Sequence, residues 1–336
     1  MMTNTASRSR LLSPYPGGKA LSRYPVHDGG RYDAWICPFA GSGEQESWVA
    51  QTYPDLPIVA ADADFLVKVV WECWAKPRLR KAVASLIEAW QLKIAVNPQA
   101  AFNELAAIAT WYYCPDHQSS YNPVLVATAS ILLRRLTFGG VMRLNSRGVF
   151  NVGLSQDKLK SFLAGWRFEW PQPPKSLAVF SDWSEAVDFV TGHDRRCPET
   201  NYRNAIAIVD PPYCSGTTAA YAHADGALSM ALDCVELLLA SGHASRIVAF
   251  NYWGEWVEGC DCPAEYPIVE AMQQLGAKHG REVWFSRLGT LATMNKGPGQ
   301  ATVHRYEGVW EIGGKRLYGD RMPVKHSPKH SQLTLL

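Results

Sequence analysis

Asn204-Ala205-Ile206-Ala207-Ile208-Val209-Asp210-Pro211-Pro212-Tyr213 reads as a buried strand that ends in a stiff turn. The unbroken apolar run Ala205–Val209 suits a strand covered on both faces, and two consecutive prolines force an extended exit. Asp210 therefore stands at the carboxyl end of a strand, where α/β sheets bind ligands. Upstream, Ala34-Trp35-Ile36-Cys37 runs into Pro38-Phe39-Ala40-Gly41-Ser42-Gly43, then a helical stretch, then Pro57-Ile58-Val59-Ala60-Ala61-Asp62-Ala63-Asp64. This strand, turn, helix and strand pattern predicts the start of an α/β sheet.

Between these two regions the chain turns helical. Arg78–Trp90 and Phe102–Tyr113 carry apolar residues at spacings of three and four. After residue 175 strands return, as Leu177–Phe180, Ser245–Asn251, Glu282–Leu288 and His304–Ile312, with helices expected around 226–241 and 264–277. The expected layout is a discontinuous α/β domain formed by residues 1–64 and 155–313, a helical insert forming a second lobe over 65–154, and a mobile basic tail over 314–336.

The chain has 336 residues, 47% of them hydrophobic, which suffices for a full core. Its net charge of +2 makes a nucleic-acid partner depend on a local basic patch rather than on the whole field. No apolar run is long enough to span a bilayer, and Met1–Leu12 is not followed by a signal-peptide core, so a cytoplasmic protein with no membrane partner is expected. The 8 cysteines contain no CxxC pair, which predicts reduced thiols and no metal site.

Asp210 and a neighbouring backbone carbonyl, that of Pro211, offer two acceptors to the two hydrogens of an exocyclic NH2, and Tyr213 offers a ring on which an extruded base can stack. As residues alone, the same turn can be a strand end with a solvent-facing acid. The glycines of Pro38–Gly43 let a backbone approach a ligand, although such turns also serve structure alone. Asp62 ends its strand where an acid accepts ribose hydroxyls, while Asp64 suits a helix N-cap. Between Arg134 and Arg147 lie four arginines and no acid, interleaved with Phe138, Met142, Leu144 and Asn145. Arginine reaches phosphates or guanine edges and asparagine reaches adenine edges, though a solvated loop has the same composition.

Four segments in order, Tyr15-Pro16-Gly17-Gly18-Lys19, Pro38–Gly43, Ala61–Asp64 and Asp210–Tyr213, resemble the Dam-like adenine-specific DNA methyltransferases, from about Ser13 to about Ile312. A fifth, Arg143-Leu144-Asn145-Ser146-Arg147-Gly148-Val149-Phe150-Asn151-Val152, is similar to the hairpin with which that family contacts DNA. The resemblance implies a Rossmann-like fold, S-adenosyl-L-methionine as cofactor and double-stranded DNA as partner, with no metal, in a monomer or weak dimer. It implies that Tyr15 to Lys19, Pro38 to Gly43, Asp62, Ser181-Asp182-Trp183 and Asp210 surround the cofactor. It further implies that Asp210 to Tyr213 hold the target adenine, and that Arg134, Arg135, Arg143, Asn145, Arg147 and Asn151 face DNA. Cys214–Gly226 resembles the family's mobile loop over the target base. The family's aromatic-Asn-Gly turn is Phe138-Gly139-Gly140 here, and its Pro after the hairpin is Gly153. These departures bear on the target sequence, for which a GATC-type palindrome is implied, more than on the reaction. Methylation of RNA, of protein glutamine or of cytosine N4, and an inactive DNA-binding protein with the same fold, are the alternatives.

Overall fold

The computed structural model describes residues 26–193, 202–211, 227–257, 264–294 and 303–318. Strand β1 (Ala34–Cys37) leads through α1 (Glu44–Thr52) to β2 (Ile58–Ala61). Helices α2 (Phe65–Ala75), α3 (Pro77–Val96), α4 (Pro98–Tyr113), α5 (Pro123–Leu136) and α6 (Gln156–Leu163) follow, then β3 (Leu177–Phe180), α7 (Trp183–Val190) and β4 (Ala205–Val209). The rest comprises α8 (Ala227–Ser241), β5 (Ala244–Val257), β6 (Ala264–Glu265), α9 (Ile268–Lys278), β7 (Val283–Met294) and β8 (Val303–Ile312).

One mixed sheet runs in the order β3-β2-β1-β4-β5-β8-β7, with β6 paired to β5. The strands β1 to β5 are mutually parallel, and β8 runs antiparallel to both β5 and β7. The fold is α/β and compatible with a Rossmann-like arrangement. The strand order reverses between β1 and β4, which opens a crevice beyond their carboxyl ends. Every residue of β1, β2 and β4 is buried, as expected where helices cover both faces and no polar alternation survives.

Helices α1 to α6 cover one face of the sheet and α7 to α9 the other. The helical insert has no core of its own. Trp71, Ile87, Leu105 and Leu132 belong to the same buried cluster as Trp35, Ile58, Ile208 and Phe250 of the sheet. Proline at the first turn opens α3, α4 and α5, where its missing N–H costs nothing, and Asn97 and Asn122 cap the latter two. The helical part also runs past residue 154. Helix α6 packs on α5, Gln91 donates to the Trp166 carbonyl at 2.7 Å, and Trp74 donates to that of Pro171 at 3.0 Å. Helix α9 starts later than residue 264, because Ala264–Glu265 first pairs with β5.

Part of the expected tail is fixed. Arg246 and Glu311 are fully buried and meet at 2.8 Å, and Arg246 also donates to the carbonyls of Val26, Gly313 and Lys315. Glu311 accepts the amides of Leu317 and Tyr318, and Asp28 accepts that of Lys315. The segments around residues 26–28 and 313–318 are thereby joined at the amino edge of the sheet. Buried backbone groups need partners, and this acid-base pair supplies them.

Candidate active site at the carboxyl edge of the sheet

Pro38–Gly43, Asp62, Ser181–Asp182 and Asp210-Pro211 follow β1, β2, β3 and β4, four adjacent parallel strands. Continuing the register from Ile36 opposite Ala207 brings Phe39 level with Asp210. Continuing it from Ala61 opposite Phe180 brings Asp62 level with Ser181. Segments far apart in the chain thus share one edge because the parallel topology carries every one of these strands to it.

The turn after β1 is held by Asp62. Its carboxylate accepts the amide of Gly41 and the amide of Asp64, each at 2.9 Å, while Ala40 N–H donates to the Ala61 carbonyl at 2.8 Å. Gly41 and Gly43 have φ of 51° and 66°, a conformation that glycine adopts without strain. The Trp71 indole of α2 donates to the Gly41 carbonyl at 3.2 Å. Burial pushes the Asp62 carboxyl up to about 7, helped by the charge of Asp64 and opposed by the two amides and by Arg134. Asp62 stays partly exposed at the edge.

Behind the turn lies Glu46, a residue that sequence reasoning passed over. It is 5% exposed and accepts the Trp35 indole N–H at 3.0 Å. Burial pushes its carboxyl up to about 7 as well, with the charge of Asp210 adding to the rise and the hydrogen bonds from Trp35 and Cys37 opposing it. Glu44-Gln45-Glu46-Ser47 looks like an exposed helix start, yet Gln45, Glu46 and Ser47 face inward. Asp210 is thus a half-buried acid at the strand end whose charge is felt by a second, buried acid, Glu46.

Asp64 caps α2 through bonds from Leu66 N–H and Val67 N–H. Asp182 caps α7 through one carboxylate oxygen, which accepts from the Ser184 amide and hydroxyl, and is exposed at the edge, while Trp183 packs on the core beneath. Tyr15, Pro16, Gly17, Gly18, Lys19, Pro212, Tyr213 and Cys214–Gly226 lie outside the described residues.

The arginine-rich segment divides. Arg134 is buried, 2.7 Å from the Asp64 carboxylate, and so does not face a duplex as expected: its charge is spent inside the fold. Arg135 is half-buried, donating to Ser161 Oγ at 3.2 Å and lying over the Trp166 ring. Arg143–Asn151 does form a hairpin, with Leu144 bridged to Phe150. Asn145 spends its side-chain oxygen on the amides of Arg147 and Val149, which makes it the organiser of the tip, and it is exposed there. Arg143 and Arg147 are exposed, the former oriented by Asn151 at 3.1 Å, and Phe138 beside them is 80% exposed.

No protein-family model matches the chain, and no curated protein matches it significantly. Among the described residues no group of three or more His, Cys, Asp or Glu side chains is placed to hold a metal ion, and no helix is long and apolar enough to cross a membrane.

Proposed function

We propose that the chain is a cytoplasmic DNA methyltransferase that uses S-adenosyl-L-methionine to methylate N6 of adenine in double-stranded DNA. One observation carries this reading: the Gly-rich turn, Asp62 and Asp210-Pro211 converge on the carboxyl edge at the strand-order reversal. An exposed arginine hairpin supports it from the helical side.

The residues fit the cofactor. Asp62 is fixed by two amides and partly exposed, which suits acceptance of ribose hydroxyls. The two glycines keep the turn backbone free of side chains where a ligand would rest. When bound, the cofactor supplies a methyl group activated by its sulfonium.

The Asp210 carboxylate and the Pro211 carbonyl accept the two hydrogens of the adenine amino group. Doing so draws the nitrogen lone pair out of conjugation and toward the methyl donor, an electrostatic effect that sharpens as the nitrogen becomes tetrahedral. No strong base is required, since the extra proton leaves after transfer. Arg143 and Arg147 hold the duplex, and extrusion of the base brings its amine to the edge.

The test is incubation with methyl-labelled S-adenosylmethionine and duplex DNA, followed by digestion and chromatography of the nucleosides. N6-methyladenine is the expected product. Label on cytosine N4, or on RNA alone, would move the assignment to those amines, and label on no nucleic acid would overturn it.

A further inference from the structure

Two lines of contacts run from the hairpin to the turn after β1, and both pass through Asp64. Along α5, Arg134 donates to the Gly140 carbonyl at the hairpin root at 3.4 Å and to Asp64 Oδ2 at 2.7 Å. Along α4, Thr110 Oγ1 accepts the Phe150 amide of the hairpin at 3.0 Å, and one turn later the Tyr113 hydroxyl reaches Asp64 Oδ2 at 3.4 Å. Beyond Asp64 the path continues through its own amide to Asp62 Oδ1 and from Asp62 Oδ2 to the Gly41 amide.

The other oxygen of Asp64 already caps α2. Replacing a buried ion pair by well-packed apolar residues of the same volume is often neutral or stabilising, so stability is a weak reason for the pair. The pair ties the hairpin root, α2, α4, α5 and the Asp62 turn to one another by directional bonds.

We infer that Arg134 and Asp64 are a positioning pair that couples occupancy of the hairpin to ligand binding at the Gly41–Asp62 turn. The inference rests on the methyltransferase reading. A ligand that fixes Asp62 fixes Asp64 and, through Arg134 and Tyr113, the hairpin. By linkage a duplex on the hairpin tightens the turn to the same degree.

The experiment is amide exchange of the full chain with and without S-adenosylhomocysteine. In the wild type the ligand is expected to slow exchange across residues 141–154 several-fold. The Asp64→Asn/Arg134→Gln double variant keeps the helix cap, since Asn caps as well as Asp. It is expected to bind the ligand but to lose the slowing. Arg134→Lys, which keeps the charge but not the forked reach, is expected to lose part of it and serves if the double variant does not fold. Ligand binding without slowing in the wild type, or undiminished slowing in the folded variants, overturns the coupling while leaving the methyltransferase reading intact. Failure of the wild type to bind S-adenosylhomocysteine overturns both.

Discussion

The amide of Gly41 donates to the Asp62 carboxylate at 2.9 Å, tying the turn after β1 to the end of β2. Burial holds that carboxyl at about 7 in the ligand-free protein. Ribose hydroxyls would donate to its charged form and lower its pKa on binding. Affinity for S-adenosylhomocysteine is therefore expected to rise with pH through about 7 and to level off above it, with proton release on binding near neutrality. Calorimetry in buffers of different ionisation enthalpy reads both. Asp62→Asn should flatten the profile and weaken binding by about 1–3 kcal/mol. A wild-type profile flat between about pH 6 and pH 8 would show that Asp62 is not raised into that range, and unchanged affinity in Asp62→Asn would remove Asp62 from the ligand.

Glu46 makes a separate, structural contribution. Its carboxyl stands at about 7 in the fold against an ordinary 4.5, so between those values the folded state holds more protons than the unfolded chain. Stability is expected to fall as pH rises across that window and to be flat above it. Glu46→Gln still accepts the Trp35 N–H and carries no charge. The variant should be more stable than the wild type at pH 8 and nearly equal at pH 5 in thermal melts. Equal melting temperatures at both would show that Glu46 does not retain its proton.

Asp210→Ala should lower methyl transfer by about 100- to 1,000-fold, because it removes an acceptor aimed at the reacting amine. The melting temperature should stay close to wild type. Burst and steady-state assays on duplex DNA check this, and retention of more than about a tenth of the rate would refute the amine clamp.

Arg143 and Arg147 should behave differently. Arg143 is held by Asn151 in a fixed orientation, which suits a guanine edge, and Arg143→Ala is expected to relax one base pair of the preferred site by about 1–3 kcal/mol. Arg147 sits at the tip, and Arg147→Ala should weaken all sequences alike and reduce the salt slope by about 1. Methylation of a randomised duplex library distinguishes the two. An unchanged site preference in Arg143→Ala would exclude the hairpin as reader.

Glu311→Ala leaves the Arg246 charge buried and frees the Leu317 and Tyr318 amides. It is expected to cost about 3–5 kcal/mol in denaturant unfolding, and Arg246→Met/Glu311→Leu should not restore the loss, because the Val26, Gly313 and Lys315 carbonyls would then lack their donor as well. A loss below about 1 kcal/mol would mean that Arg246 finds water instead.

The sheet was legible where burial on both faces leaves plain apolar runs, as in Ala34–Cys37 and Ala205–Val209, and where glycine or proline fixes the exit. Asp62 and Asp210 followed from those exits. Arg134 was misread because its burial is set by α5, which is covered on nearly all sides from Val126 to Leu136. Its partner Asp64 lies 70 residues away, a separation that no local pattern encodes. Asn145 carried a usable signal, since Asn-Ser-Arg-Gly is a turn in which an Asn side chain serves its own backbone. Glu46 carried none: an acid in a helix's first turn normally signals favourable placement near positive amide ends. Only the tertiary position of α1, against Trp35, turns it inward.

The continuous core beneath the helices has a mechanical consequence. A lobe with its own core can swing on a hinge, as clamshell proteins do when they close on a substrate. Here Trp71, Leu105 and Leu132 interlock with Trp35, Ile58 and Phe250, and opening such a seam would expose them to water. The distance between hairpin and sheet edge is thus a rigid ruler. Were a duplex the substrate, as proposed, matching that ruler would fall to the DNA, which would have to bend, kink or unstack to span it, so pliant base steps should be favoured even where no side chain touches them.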